Sequence, residues 1–304
     1  MQVYRHSGAV PATAIVSSLV AGLVTAVVGG FIYAYFVQWI PLIFLNVLGT
    51  LGFGAAVGLA VGIVARMALL RNSLVVGLMA LGCMAVGFWV YWGATLLAMG
   101  QPDAGLIDWT PPAIIGLVAY LFEHGSWGIK NGDPVSGYFL ATVWVIEAAT
   151  LFWLAWTTAR SSIDQPFCER CSRWTETEEG VAKFDANGKE TVWQRVITDD
   201  LPALGEVPLL HEDKPRFVRV DFARCPQCSE SNFLTIQAIE ITTNSKGEEK
   251  TKETSLIKHG ILTVEQAEII RHLSAMAAEH VAVSPFDHLE TETAPGDDRQ
   301  GEPA

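Results

Sequence analysis

Hydrophobic and polar positions follow two different rhythms in the two halves of this chain. In the first half apolar residues run almost unbroken, with no polar face. Four of these runs, residues 12–37, 42–65, 74–99 and 138–158, reach the roughly 20 residues that a helix needs to cross a bilayer. Pro41 leaves almost no loop between the first two, which predicts a tight helical hairpin. A fifth run, PPAIIGLVAYLF at 111–122, is only about 12 residues long and predicts a re-entrant or interfacial segment. Arg5 and His6 precede the first run as in a signal peptide, but that run outlasts an h-region of about 7–15 residues, so a retained helix is expected.

In the second half apolar and charged residues alternate over short stretches. RFVRVDF (216–222) predicts a strand, and FLTIQAIEITT (233–243) with TKETSLI (251–257), joined through NSKGEE, predicts a hairpin. FDANGKETVWQRVI (184–197) predicts a second hairpin turning at Asn187-Gly188. Thr263 with Gln266 three residues on forms a capping box. The helix it opens carries Ile270, Leu273, Ala277 and Val281 on one face, a set expected to pack on the sheet. From Ser284 onward Pro, Gly, Glu290, Glu292, Asp297 and Asp298 predict a disordered acidic tail. The expected organisation is a transmembrane domain over residues 1–160, a β-rich domain with a C-terminal helix over 161–283, and the tail over 284–304.

Charge sharpens this division. Of 20 Lys+Arg and 32 Asp+Glu, the first 160 residues hold five of each sign, so the remainder holds 15 basic and 27 acidic residues, a net charge of −12. An acidic half without an arginine run excludes a backbone-binding nucleic-acid protein, which needs a basic patch to displace counterions. Arg5, Arg66, Arg71 and Arg160 flank the runs at one end, whereas the loop at 100–136 sets Asp103, Asp108, Glu123 and Asp133 against Lys130 alone. The excess of basic residues predicts that both termini and the 66–73 loop are cytoplasmic. The protein is thus expected to be a multi-pass protein of the plasma or inner membrane.

Small residues pattern the apolar half. Gly54, Gly58 and Gly62 stand four apart on one helix face, and Gly22, Ala26 and Gly30 repeat the spacing. Without side chains helix backbones approach closely, so these rows predict internal packing, with a homo-oligomer seam as the alternative. Trp39, Trp89, Trp92, Trp109, Trp127, Trp153 and Trp156 lie mostly near predicted helix ends, as aromatic residues do at a membrane interface. Glu147 alone interrupts the apolar pattern of the fourth run, about halfway along it. A carboxylate there costs several kcal/mol unless it is protonated, paired or facing a wet cavity, which makes it a candidate functional residue. His124 and Asn46 are the candidate partners. The competing role for Glu147 is a protonated group that glues helices together. Ion-coupled transporters show several polar residues along a path and often broken helices, and neither pattern is evident.

Four of the five cysteines pair as Cys168-Glu-Arg-Cys171 and Cys225-Pro-Gln-Cys228. Each Cys-x-x-Cys makes a tight turn that aims two sulfurs at one ion, and two such turns complete a tetrahedron that suits structural zinc. An iron–sulfur cluster takes the same four ligands. Disulfides fit an exported domain better than a cytosolic one, and a thioredoxin-like motif needs one such pair at a helix start, where Pro166 and Pro226 suggest turns. The paired motif resembles a zinc ribbon over about residues 165–235. The resemblance implies two metal knuckles on neighbouring hairpins and a bound Zn²⁺ with a structural role. Ribbon knuckles often close on glycine, whereas here Ser172 and Ser229 follow the cysteines.

Arg170, Arg173 and Arg224 flank the thiols and are expected to offset the negative charge of a Zn–thiolate site. The segment at 211–213 (HED) reads as a solvated loop, and His259, His272, His280 and His288 are too scattered to act as ligands. Cys83 reads as a small core residue. A complete Cys₄ set leaves no open coordination position for catalysis. The expected fold class is a four-helix polytopic membrane domain followed by a small β-rich, zinc-ribbon-like α+β cytosolic domain. The expected function is a non-enzymatic scaffold, adaptor or regulatory component in the bilayer that binds a protein partner on its cytosolic side. The alternative is a small-solute or ion transporter or channel, or an intramembrane enzyme, built around Glu147.

Overall fold

Apolar stretches with no polar face become long helices. A computed structural model describes residues 1–40, 42–99, 109–126, 134–186, 189–210, 214–244 and 247–282. Its first five helices are α1 (Ala12–Trp39), α2 (Ile43–Met67), α3 (Ser73–Ala98), α4 (Pro111–His124) and α5 (Gly137–Ser161). All but α4 are long and apolar enough to cross a membrane. Asn72 caps α3 by accepting a hydrogen bond from the Val75 amide at 3.2 Å, and two prolines open α4, where their missing N–H groups cost nothing. Pro41, residues 100–108 and 127–133, Asn187-Gly188, residues 211–213, the Val281 side chain and the tail from 284 lie outside the described residues, together with the expectations that rest on them.

The chain divides into two units, residues 5–165 and residues 1–4 joined with 166 onward. In the helical unit α1 packs on α2 and α3, and α2 packs on α5. The glycine rows make these approaches possible. A Cβ added at Gly54 would stand 2.9 Å from the Leu151 carbonyl oxygen, and one at Gly62 would stand 2.7 Å from that of Ala159. At Gly58 it would stand 2.5 Å from the Ala155 carbonyl oxygen. The Gly54–Gly58–Gly62 row is therefore turned onto α5 of the same chain, which takes it out of use as a homo-oligomer seam. In α1, Gly22 faces Val61 and Cys83, and Gly30 faces Gly87 and Val90. Cys83 is buried among them.

The tryptophans serve two purposes. Trp39 and Trp153 are exposed, whereas Trp92 is buried. Trp109 lies against Gly93 and Trp156 against Gly77, filling the space those glycines leave. These two are packing groups as well as residues near helix ends.

The second unit begins with a small hairpin, β1 (Phe167–Cys168) and β2 (Arg173–Trp174). It is followed by an antiparallel sheet of β3 (Glu176–Asp185), β4 (Arg216–Arg224), β5 (Asn232–Thr243) and β6 (Glu249–Leu262), in that spatial order. β5 and β6 form the hairpin that the alternation predicts. Val218, Val220 and Phe222 of β4 and Leu234 and Ile236 of β5 turn one sheet face into the core. That face is covered by α6 (Glu190–Ile197), a 3-10 turn (Leu201–Glu206) and α7 (Val264–Ala282).

Helix α6 corrects the expectation of a hairpin over 184–197. Its apolar residues Val192, Trp193 and Val196 are all buried, a one-and-four spacing that suits a helix face and that a run this short does not distinguish from a strand. At the start of α7 the capping box is present in both directions. The Gln266 amide donates to Thr263 Oγ1 at 3.2 Å, and the Thr263 amide donates to Gln266 Oε1 at 3.0 Å. Ala267 and Ile270 carry the α7 face into the core.

The first four residues belong to the sheet unit, not to the helical domain in which the expected 1–160 boundary put them. Val3 bridges antiparallel to Gly260. The Ile261 amide donates to the Gln2 carbonyl at 2.8 Å, and the Tyr4 amide donates to the His259 carbonyl at 2.9 Å. The Tyr4 ring meets Phe233 edge-on at 5.0 Å. This short segment thus pairs along the outer edge of β6 near its C-terminal end.

Candidate metal centre

The two Cys-x-x-Cys turns sit at one end of the sheet unit. Cys168 ends β1 and Cys171 lies in the turn before β2, while Cys225 and Cys228 occupy the connection from β4 to β5. Their four sulfurs all lie within 4.8 Å of one another. A tetrahedral ion with metal–sulfur bonds of about 2.3 Å sets its sulfurs about 3.8 Å apart, and Cys168 Sγ stands 3.7 Å from Cys228 Sγ. The cysteines are free thiols, not the disulfides weighed as an alternative. This geometry fits a single four-coordinate ion and is compatible with a zinc-ribbon-like site. Cys168 and Cys225 are buried, and Cys171 and Cys228 are half-buried.

Donors surround the sulfurs before any ion is considered. The Cys171 amide points at Cys168 Sγ at 3.4 Å, and Ser231 Oγ–H donates to the same sulfur at 3.1 Å. Cys228 is pushed down to about 6, first by the Glu230 backbone N–H and then by that of Ser231. Cys171 is pushed up, first by its hydrogen bond with Cys228 and then by desolvation, as expected where two neighbouring sulfurs compete for one proton. A bound cation would replace that proton.

The knuckles are also braced from outside. The Phe167 amide donates to Tyr4 Oη at 3.2 Å, and Tyr4 Oη–H returns a bond to the Phe167 carbonyl at 3.3 Å. The residue preceding the first ligand is thereby held by the N-terminal segment. Thr175 Oγ1–H donates to the Pro166 carbonyl at 2.9 Å, and Asn232 Nδ2–H donates to the Ser229 carbonyl at 2.6 Å. Tyr4 was not legible as part of this site, because nothing local links it to a cysteine so far along the chain.

Two of the three flanking arginines are paired with carboxylates. Arg170 pairs with Glu230, joining one knuckle to the other, and Arg224 pairs with Glu178 at 2.8 Å. Their charge is shared with these acids, and the exposed pairs contribute little to stability. No family model matches the sequence of this chain, and no curated protein or solved structure matched it.

Ser172 stands where a ribbon knuckle often has glycine, and it takes the left-handed conformation that glycine favours, with φ +49°. That conformation costs a non-glycine residue roughly 1–2 kcal/mol. Ser172→Gly is therefore expected to raise stability by about 1 kcal/mol once the greater flexibility of the unfolded chain is subtracted. Thermal unfolding of the purified protein checks this, and a lower midpoint would contradict it.

Glu147 lies within the helical unit, and its bonded partner is neither of the two expected. Tyr33 Oη lies 2.6 Å from Glu147 Oε1, at hydrogen-bond distance. Tyr33 Oη also stands 2.6 Å from Thr50 Oγ1, whose hydroxyl donates to the Asn46 carbonyl at 2.9 Å. Asn46 thus contributes its backbone, not its side chain, and the His124 ring bonds to the Tyr120 carbonyl at 3.0 Å. Sequence reading passed over Tyr33 because a tyrosine amid aromatic residues near a helix end resembles an interface anchor. His259 is bonded to Thr235 at 3.3 Å, and it does not join the sulfur cluster.

Proposed function

We propose that this protein is a membrane-held adaptor or regulatory component whose zinc-stapled sheet domain engages a protein partner on the cytosolic side. The closed set of four sulfurs carries the reading. An ion with four protein ligands has no position left for substrate or activated water, so its contribution is to hold the fold. Zinc suits four thiolates in a tetrahedron. The placement of Arg5, Arg66, Arg71 and Arg160 favours a cytosolic position for the domain.

The domain offers a suitable docking element. β6 is an edge strand, and the side chains from Glu249 to Ser255 are exposed. Beyond the Val3–Gly260 bridge no further strand among the described residues pairs with its outer edge. Alternating charges there guard against self-association while leaving backbone groups for an added strand. The net charge of −12 over residues 161–304 favours a partner with a basic face. A photo-crosslinking residue at Thr251 or Glu253 in the full-length protein is expected to trap one defined cellular protein. Cys225→Ser should abolish the adduct. An inserted, folded protein that yields no adduct from either position would overturn the reading.

A further inference from the structure

The hydrogen-bond chain around Glu147 contains more contacts than its hydroxyls have protons. Three oxygen pairs lie in sequence: Glu147 Oε1 to Tyr33 Oη at 2.6 Å, Tyr33 Oη to Thr50 Oγ1 at 2.6 Å, and Thr50 Oγ1 to the Asn46 carbonyl at 2.9 Å. Each of these distances is that of an O–H···O bond and requires one proton between the oxygens. Tyr33 and Thr50 own one proton each. If Tyr33 donates to Glu147 and Thr50 to Asn46, the close Tyr33–Thr50 contact has none. All three contacts are satisfied only when the carboxyl of Glu147 carries the third proton and donates it to Tyr33.

The surroundings agree with a neutral carboxyl. Tyr33 and Thr50 are buried, and among the described residues the partner bonded to Glu147 is a hydroxyl, not a cation. Among the described residues the other titratable group facing the cluster is Tyr91 of α3, whose ring lies 5.0 Å from that of Tyr33. From α2 come Thr50 and the Asn46 carbonyl, both uncharged. Glu123 and His124 of α4 are exposed. An uncompensated charge at this depth would cost several kcal/mol.

A metal cation is a poorer occupant than a proton. Hard cations such as calcium hold oxygens about 2.3–2.6 Å away, which keeps neighbouring ligand oxygens more than about 3 Å apart. The 2.6 Å contacts here are too short for that.

We propose that Glu147, Tyr33 and Thr50 form a proton-binding site inside the helical unit, with the proton resident on Glu147. Release breaks the carboxyl O–H bond and passes one proton to a solvent base, leaving a carboxylate. The Tyr33 hydroxyl then turns to donate to Glu147, and Thr50 turns to donate to Tyr33. The Asn46 carbonyl loses its side-chain donor, so one proton reverses the direction of bonds from α5 through α1 to α2.

Infrared difference spectra of the full-length protein in lipid nanodiscs test this. At neutral pH the wild type is expected to show a protonated-carboxyl C=O band that shifts in D₂O, is lost in Glu147→Gln and moves in frequency in Tyr33→Phe. Thr50→Val should move it less. If Glu147→Gln fails to fold, the Tyr33→Phe shift and loss of the wild-type band at raised pH carry the test. A wild-type spectrum with only carboxylate bands would overturn the proposal. So would a band unmoved by Tyr33→Phe, or one that appears only when sodium is withdrawn, which would indicate a cation site.

Discussion

Stripping metal from the purified full-length protein is expected to unfold the sheet unit while leaving the long helices intact. Structural zinc binds with about 10–16 kcal/mol of apparent free energy in small modules, while whole domains are stable by only about 5–15 kcal/mol. A domain whose β1–β2 hairpin and β4–β5 connection meet at one cluster of four sulfurs is expected to have little to spare without a bound ion. Elemental analysis should find about one zinc per chain. Chelation should remove the near-ultraviolet signal of Trp174 and Trp193 and expose the soluble half to protease. Cys168→Ser should lower affinity by more than the roughly 100-fold that disturbing the groups around a metal site costs, because this sulfur is buried and anchors both Ser231 and the Cys171 amide. A domain that melts at the same temperature with and without chelator would refute the structural role.

The second large effect is expected at Gly58. A Cβ there would press on the carbonyl oxygen and Cα of Ala155, backbone atoms of α5 that cannot rotate away. Overpacking of this kind costs roughly 1–3 kcal/mol even where side chains can yield, so Gly58→Leu should force α2 from α5 and leave little folded protein in detergent. Gly52 and Gly82 supply the controls, since nothing lies within 4 Å of a Cβ added at either. Alanine at those sites should be neutral or stabilising, because glycine is a poorer helix former by about 1 kcal/mol. Equal losses at all three positions would show that the glycine row does not set the approach of the helices.

These two expectations draw on features of different legibility. The cysteine pairs and the long apolar runs are local, dense signals, and the four long helices, the β5–β6 hairpin and the capping box at Thr263 all follow from neighbours in the chain. The face to which a glycine row turns is not local. Gly54, Gly58 and Gly62 mark a close approach in the sequence, but only the fold assigns it to α5. Tyr33 escaped notice as the partner of Glu147 for the same reason, since the two residues stand on helices far apart in the chain. Helix α6 was misassigned because an eight-residue segment with a nearby turn signal satisfies both periodicities. The core of the sheet unit decided between them.

The Val3–Gly260 bridge carries a consequence for how the chain threads a membrane. The segments before and after the helical unit belong to one folded body, so a chain inserted in a bilayer must come back to the side it left. Its crossings are therefore even in number. Four crossings by the long helices would meet that condition. In a chain with four crossings, deleting any one long helix would strand Val3 across the bilayer from Gly260, unpairing the edge of the sheet and withdrawing Tyr4 from the first Cys-x-x-Cys turn. It also follows that the bridge forms late in synthesis, since Val3 must wait for all five helices of the helical unit and most of the sheet to be made before its partner exists.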